Sequence, residues 1–245
     1  CLPHQRLEAQ IIFSCQLDRR PVSLKFFLVI RPADRRNIIY QRIKPHIHDL
    51  VRVAWYRIEI NANWKFVTDN FSESYHTRTA HPQVPPWIDQ DVDTARHEMW
   101  PAGHGRTVQP MRPSLSDRPA DGRNAVFEAM LRAWDVDPDS YASYEDFVLQ
   151  GWLDMKAAKK RLWRERGYVH YEHMSDEEIT DSPHTVMFPN VTISFLPDNL
   201  IFFRSEPHPD DPEKCFFDLW CMAFPVAGQD TVESIMAGPK PLREV

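Results

Sequence analysis

Twenty-one prolines stand against seven glycines in this chain of 245 residues. Proline lacks a backbone N–H and breaks helix interiors, so its positions dictate where regular elements can run. Scarce glycine removes a further option. Only Gly103 and Gly105 lie close together, and neither GxGxxG nor GxxxxGK[ST] occurs, which excludes dinucleotide-binding Rossmann enzymes and P-loop NTPases. The rest of the composition, 42% hydrophobic and 26% charged, is that of a globular protein. A chain of this length can bury roughly 70% of its unfolded surface, enough for one sizeable domain or two small ones.

Charge is distributed unevenly. Residues 1–50 carry nine Lys+Arg and four Asp+Glu, a net of +5, leaving 20 against 31, or −11, for residues 51–245. A boundary near Leu50 follows. The segment 1–50 reads as an appendage with one strand-like stretch, Val22–Ile30, and a basic run through Arg35, Arg36, Arg42 and Lys44 that a solvated face explains. The overall charge of −6 argues against nucleic acid or an anionic membrane as a partner. No apolar run approaches the ~20 residues of a membrane span. Cys1, Cys15, Cys215 and Cys221 form no CxxC pair and read as reduced thiols of a cytoplasmic protein. There is no initiating Met and no charged-then-apolar leader, so the expectation is a chain without a signal peptide that starts inside a longer one.

From Val51 the alternation Val51, Val53, Trp55 and then Ile58, Ile60 predicts a strand ending at Asn61. Asn63 is placed to cap a helix from Trp64, whose stripe Trp64, Val67, Phe71, Tyr75 extends toward Ala80 before Pro82 stops it. Residues 82–121, proline-rich and without sustained period, predict a long loop that either covers an active site or is a plain exposed connection. Helices are expected over Asn124–Trp134 and Tyr144–Arg166, the second ended by Gly167. Three β-rich runs follow: Thr185–Leu196, Leu200–Ser205 and Cys215–Phe224, the first two forming a hairpin. The pattern is α+β, not alternating βαβ.

Eleven histidines invite metal-site readings. His46 and His48 sit in the basic appendage with only Asp49 nearby, and His170 and His173 follow a helix end where exposed polar residues are the commoner explanation. His76 and His81 differ. On a continuous helix five residues turn a side chain by about 500°, leaving the imidazoles ~140° apart and unable to chelate. Pro82 disfavours helical geometry at His81, so the chain can bend there and bring the two rings to a shared metal. Glu73, three residues before His76, and Asp69, one turn earlier, are placed to hydrogen-bond a ligating imidazole. On spacing alone, solvated carboxylates and ordinary histidines are the commoner explanation of the pattern.

Asn63-Trp64-Lys65, Asp69-Asn70-Phe71, Glu73, Tyr75-His76 and His81-Pro82 together resemble the signature of Rieske-type ring-hydroxylating oxygenase α subunits. The similarity runs from about Val51 to the end, taking in Phe188-Pro189-Asn190 and the Phe216–Phe224 strand. It implies a helix-grip (START/Bet v1-like) catalytic domain, an antiparallel sheet with flanking helices around an apolar pocket, over residues 51–245. It further implies mononuclear Fe(II) held by His76, His81 and a carboxylate, with O₂ and an aromatic or apolar molecule as substrates. Electrons would come from a Rieske [2Fe–2S] cluster, usually of a neighbouring subunit, through Glu73, with a reductase or ferredoxin as donor and a homo-oligomer, a trimer, as the assembly. The third ligand is expected beyond Val245, Asp230 being the acid at the nearest distance within the chain. Cys1-Leu-Pro-His4 matches half of a Rieske cluster motif, which would make residues 1–50 a remnant of that domain. Two alternatives stay open: a zinc hydrolase using the same histidines with Glu73 as base, and a non-catalytic helix-grip module that binds ligands.

Overall fold

The computed structural model describes residues 49–226 and the backbone of residues 235–241. Contacts divide the chain into two units, Cys1–Asp49 and Leu50–Val245. The strand-like stretch Val22–Ile30 belongs to the first and lies outside the described residues.

The frame of the second unit is one sheet of eight strands: β1 (Val51–Ile60), β2 (Arg96–Trp100), β3 (His104–Pro110), β4 (Asp181–Met187), β5 (Val191–Phe195), β6 (Asn199–Pro207), β7 (Cys215–Ala223) and β8 (Ile235–Pro241). Their spatial order is β2-β3-β4-β5-β6-β7-β1-β8. All neighbours are antiparallel except β1 and β8, which run parallel. Four α-helices accompany the sheet among the described residues: α1 (Trp64–Asn70), α2 (Thr77–Ala80), α3 (Ala125–Arg132) and α4 (Tyr144–Leu162). This is the expected α+β helix-grip class.

Several boundaries differ from expectation, each for a local reason. The single helix from Trp64 to Ala80 is two short helices with a break at residues 71–76. The stretch 82–121 is not all loop, because it contains the β2–β3 hairpin between its prolines. None of the five β2 side chains is buried at this sheet edge, so the strand carries no apolar alternation. Thr185–Leu196 falls in two strands separated by Phe188-Pro189-Asn190, since Pro189 has no N–H to give the ladder. β8 shows no strand pattern strong enough to read in advance, since two prolines interrupt it.

The α3 and α4 helices build the main apolar cluster. Asn124 accepts from the Phe127 amide at 3.0 Å and Ser143 from the Asp146 amide at 3.0 Å, which starts the two helices. Phe127, Leu131, Phe147, Val148 and Met155 pack with Trp134, Tyr144 and Tyr171, each large buried side chain contributing roughly 1.5–3 kcal/mol. Gly151 lets the helices approach closely, for a Cβ there would meet Leu131 at 3.2 Å. The Trp152 indole donates to the Thr180 carbonyl (3.2 Å) and Lys159 to the Ile179 carbonyl (3.1 Å), which docks α4 on the entry to β4.

Across the middle of the sheet the register sets Arg204 opposite Asp218 and Asp218 opposite Arg57. The Asp218 carboxylate, 1% exposed, accepts from Arg57 (2.9 Å), Arg204 (2.7 Å) and the Trp55 indole (3.2 Å). Arg57 also donates to Glu206 at 2.8 Å and lies over the Phe216 ring at 4.6 Å. Removing the acid takes the buried partner from two guanidiniums that keep their pairing with Glu206, a loss of about 2–3 kcal/mol. Urea unfolding of Asp218→Ala should therefore show that loss, and a change below about 1 kcal/mol would contradict the role of the row.

Asp181 opens β4, and burial raises its carboxyl pKa to about 6, with Lys156 opposing the rise and Glu177 adding to it. The folded state thus binds this proton more tightly than the unfolded chain, whose value is ~3.9. Its contribution to stability is full below about pH 4 and is lost as the pH rises toward about 6. Asp181→Asn should stabilise the protein at pH 7 by about 1–2 kcal/mol, after discounting for partial exposure, and the gain should vanish at about pH 4 in paired denaturation curves.

Candidate functional site

α1 begins where Asn63 accepts from the Lys65 amide (3.0 Å) and donates through Nδ2 to the Pro212 carbonyl (2.7 Å), tying the helix start to the β6–β7 loop. The helix ends on a tight turn, with the Phe71 amide donating to the Thr68 carbonyl (3.1 Å) and the Ser72 amide to the Asp69 carbonyl (2.9 Å). Phe71 anchors this end. Its ring stacks on Phe203 (centroids 4.5 Å apart) and on Phe217 (5.2 Å), and its carbonyl faces the His184 ring at 2.6 Å. Helix is thereby stopped two residues before Glu73.

The released segment folds around Glu73. One carboxylate oxygen lies 2.5 Å from His76 Nδ1 and the other accepts from the His76 amide at 3.3 Å. A carboxylate only accepts, so in the neutral imidazole Nδ1 carries the proton and Nε2 keeps the lone pair. The His76 carbonyl then takes the amides of Thr79 (3.0 Å) and Ala80 (2.8 Å), starting α2. His81 closes it with φ −128° and ψ 64°, out of the helical region as the following Pro82 demands. The His76 and His81 rings end 5.3 Å apart by centroid and inclined by 73°.

A second anchor fixes α2. Arg78 donates to Asp91 (2.5 Å) and to the Ser116 hydroxyl (2.9 Å), and lies 3.3 Å from Asp117. Burial works to raise the Asp91 pKa, but hydrogen bonds from Ser114 and Ser116, then the Arg78 charge, outweigh it and hold it below the usual value. The segment leading into β2 and the turn at Leu115–Asp117 thus grip the helix from outside.

Of the residues singled out by sequence, Glu73, His76 and His81 come together. Asp69 does not join them, because the break leaves it exposed on α1 instead of stacked below Glu73. Cys1, His4, His46, His48 and Asp230 lie outside the described residues. His170 corrects the expectation of an exposed polar residue: it is 2% exposed, stacked on Phe224 at 4.3 Å, with Asp198 3.3 Å from Nε2. His173 is exposed. Sequence reasoning missed Arg78 and His184. A lone histidine at the edge of a β-rich run was the available signal for His184, and Arg78 carried none beyond its place between the two histidines.

Among the described residues no group of three or more His, Cys, Asp or Glu is arranged to hold a metal ion. The pair His76 and His81 nonetheless suits two positions of a borderline metal, since both are imidazoles and Glu73 sets which His76 nitrogen is free to ligate. Among the described residues no helix is long and apolar enough to cross a membrane.

The family model for the ring hydroxylating alpha subunit (catalytic domain) matches residues 47–237. No curated protein matches the chain. Among solved structures, a quaternary ammonium Rieske monooxygenase studied for carnitine oxidation by gut microbiota and inter-subunit electron transfer is 14% identical with a TM-score of 0.44, covering 79% of this chain and 36% of its own. A naphthalene 1,2-dioxygenase from Rhodococcus sp. bound to indole is 18% identical with a TM-score of 0.37, covering 71% of this chain and 35% of its own. The chain therefore spans about a third of the length of these proteins.

Proposed function

The chain belongs to the ring-hydroxylating α-subunit family through its catalytic domain, and on that premise we propose that it is the iron-bearing part of a Rieske-type oxygenase that hydroxylates an aromatic or otherwise apolar small molecule. The observation that carries the reading is the meeting of His76 and His81 with Glu73 seated on His76 Nδ1. His76 through Nε2 and His81 would hold a mononuclear iron(II). The bound iron would supply O₂ activation, which two imidazoles and one carboxylate permit by leaving coordination positions open.

Glu73 orients the His76 ring and fixes its tautomer, an outer contact that raises ligand basicity. The same carboxylate is our candidate for the electron entry point from a [2Fe–2S] cluster, supplied by a neighbouring subunit of a trimer and fed by a reductase or ferredoxin. We place the third ligand beyond Val245, with Asp230 as the candidate inside the chain, and read residues 1–50 with Cys1 and His4 as the remnant of a Rieske domain. Commitment of Glu73 to the His76 imidazole and amide favours an orienting role over the free base that a zinc hydrolase would require.

Metal analysis of the complete protein, purified anaerobically, tests this. The wild type should hold mononuclear iron that His76→Ala loses and His170→Ala keeps, while Glu73→Gln weakens iron(II) affinity by about 10–100-fold. Stoichiometric zinc in the wild type, no metal beyond a cluster, or iron undisturbed in His76→Ala would each overturn the proposal.

A further inference from the structure

We infer that His184 is a positioning residue that holds open the helix break on which the two candidate iron ligands depend, an inference that rests on the iron-site reading. If α1 continued, the Phe71 carbonyl would accept the amide of Tyr75 four residues on. Instead it lies 2.6 Å from His184 Nε2. The other ring nitrogen, Nδ1, lies 2.7 Å from the Ser194 hydroxyl, and the β4–β5 register pairs His184 directly with Ser194. A carbonyl can only accept, so Nε2 donates to Phe71, and in the neutral ring Nδ1 then accepts from Ser194.

Burial favours the neutral ring by lowering the His184 pKa, opposed by the bond to Phe71. The imidazole is therefore held at both nitrogens, by its strand neighbour on one side and by the end of α1 on the other. The Phe71 ring is held by stacking on Phe203 and Phe217, but stacking leaves the main chain free to choose its next hydrogen bond. His184 makes that choice. Without it, the Phe71 carbonyl is released and residues 72–81 lose their fixed path, so that His76 and His81 no longer keep a common orientation.

Hydrogen–deuterium exchange on the complete, metal-free protein tests this separately from iron. In His184→Ala the amides of residues 72–81 should exchange about tenfold or more faster while those of β7 stay at wild-type rates. His184→Gln, whose amide nitrogen reaches the former Nε2 position, should return near wild type. Ser194→Ala, a milder change, should give an intermediate acceleration confined to the same amides. Iron(II) affinity should follow the same order, falling about 10–100-fold in His184→Ala. Wild-type exchange in His184→Ala, equal effects of the Ala and Gln variants, or acceleration spread equally into β7 would overturn the inference. A wild type that binds no iron would overturn the iron-site reading instead, since the exchange result stands without metal.

Discussion

Phe71 sits where a short helix must stop if the residues after it are to meet. Its ring is stacked against Phe203 of β6 and Phe217 of β7, while its carbonyl is met by His184 of β4. Three strands thus seize a single residue by both its side chain and its main chain. The break at residues 71–76 follows, and with it the turn in which Glu73 reaches His76. Had the helix run on to Pro82, the two imidazoles would face different directions.

The sheet can do this because its two faces carry different work. Successive strand residues point to opposite sides, so Phe217 and Asp218, neighbours on β7, serve different partners. Phe217 joins the aromatic grip on α1. Asp218 binds Arg57 and Arg204 in a row across β1, β7 and β6. A charged row in register resists slippage of one strand against the next, because a shift by one residue would carry every side chain to the wrong face. Precise placement of Phe203, Phe217 and His184 depends on that register.

Much of this is legible in the sequence. Asn63 announces the start of α1, Asn124 that of α3, and Gly167, which adopts φ +78°, the end of the α4 region. The interval between His76 and His81, with Pro82 behind it, points to a bend, and Glu73 lies at the right step to reach an imidazole. Other features are hidden because they depend on distant residues. Nothing local in Trp64–Ala80 reveals that helix ends at Asn70; the cause lies more than a hundred residues away in β4, β6 and β7. The β2–β3 hairpin escapes notice because an edge strand without buried side chains lacks the alternation that marks a half-buried one. His170 misleads in the opposite sense, since a charged neighbourhood in sequence becomes a buried stack on Phe224 in space.

The break after α1 is what would give a mononuclear iron its two imidazoles. Anomalous X-ray diffraction at the iron edge, on crystals of the complete protein grown without oxygen, addresses it directly. An anomalous peak is expected between the His76 and His81 rings on the Nε2 side of His76. A peak elsewhere, with the space between those two rings empty, would contradict it.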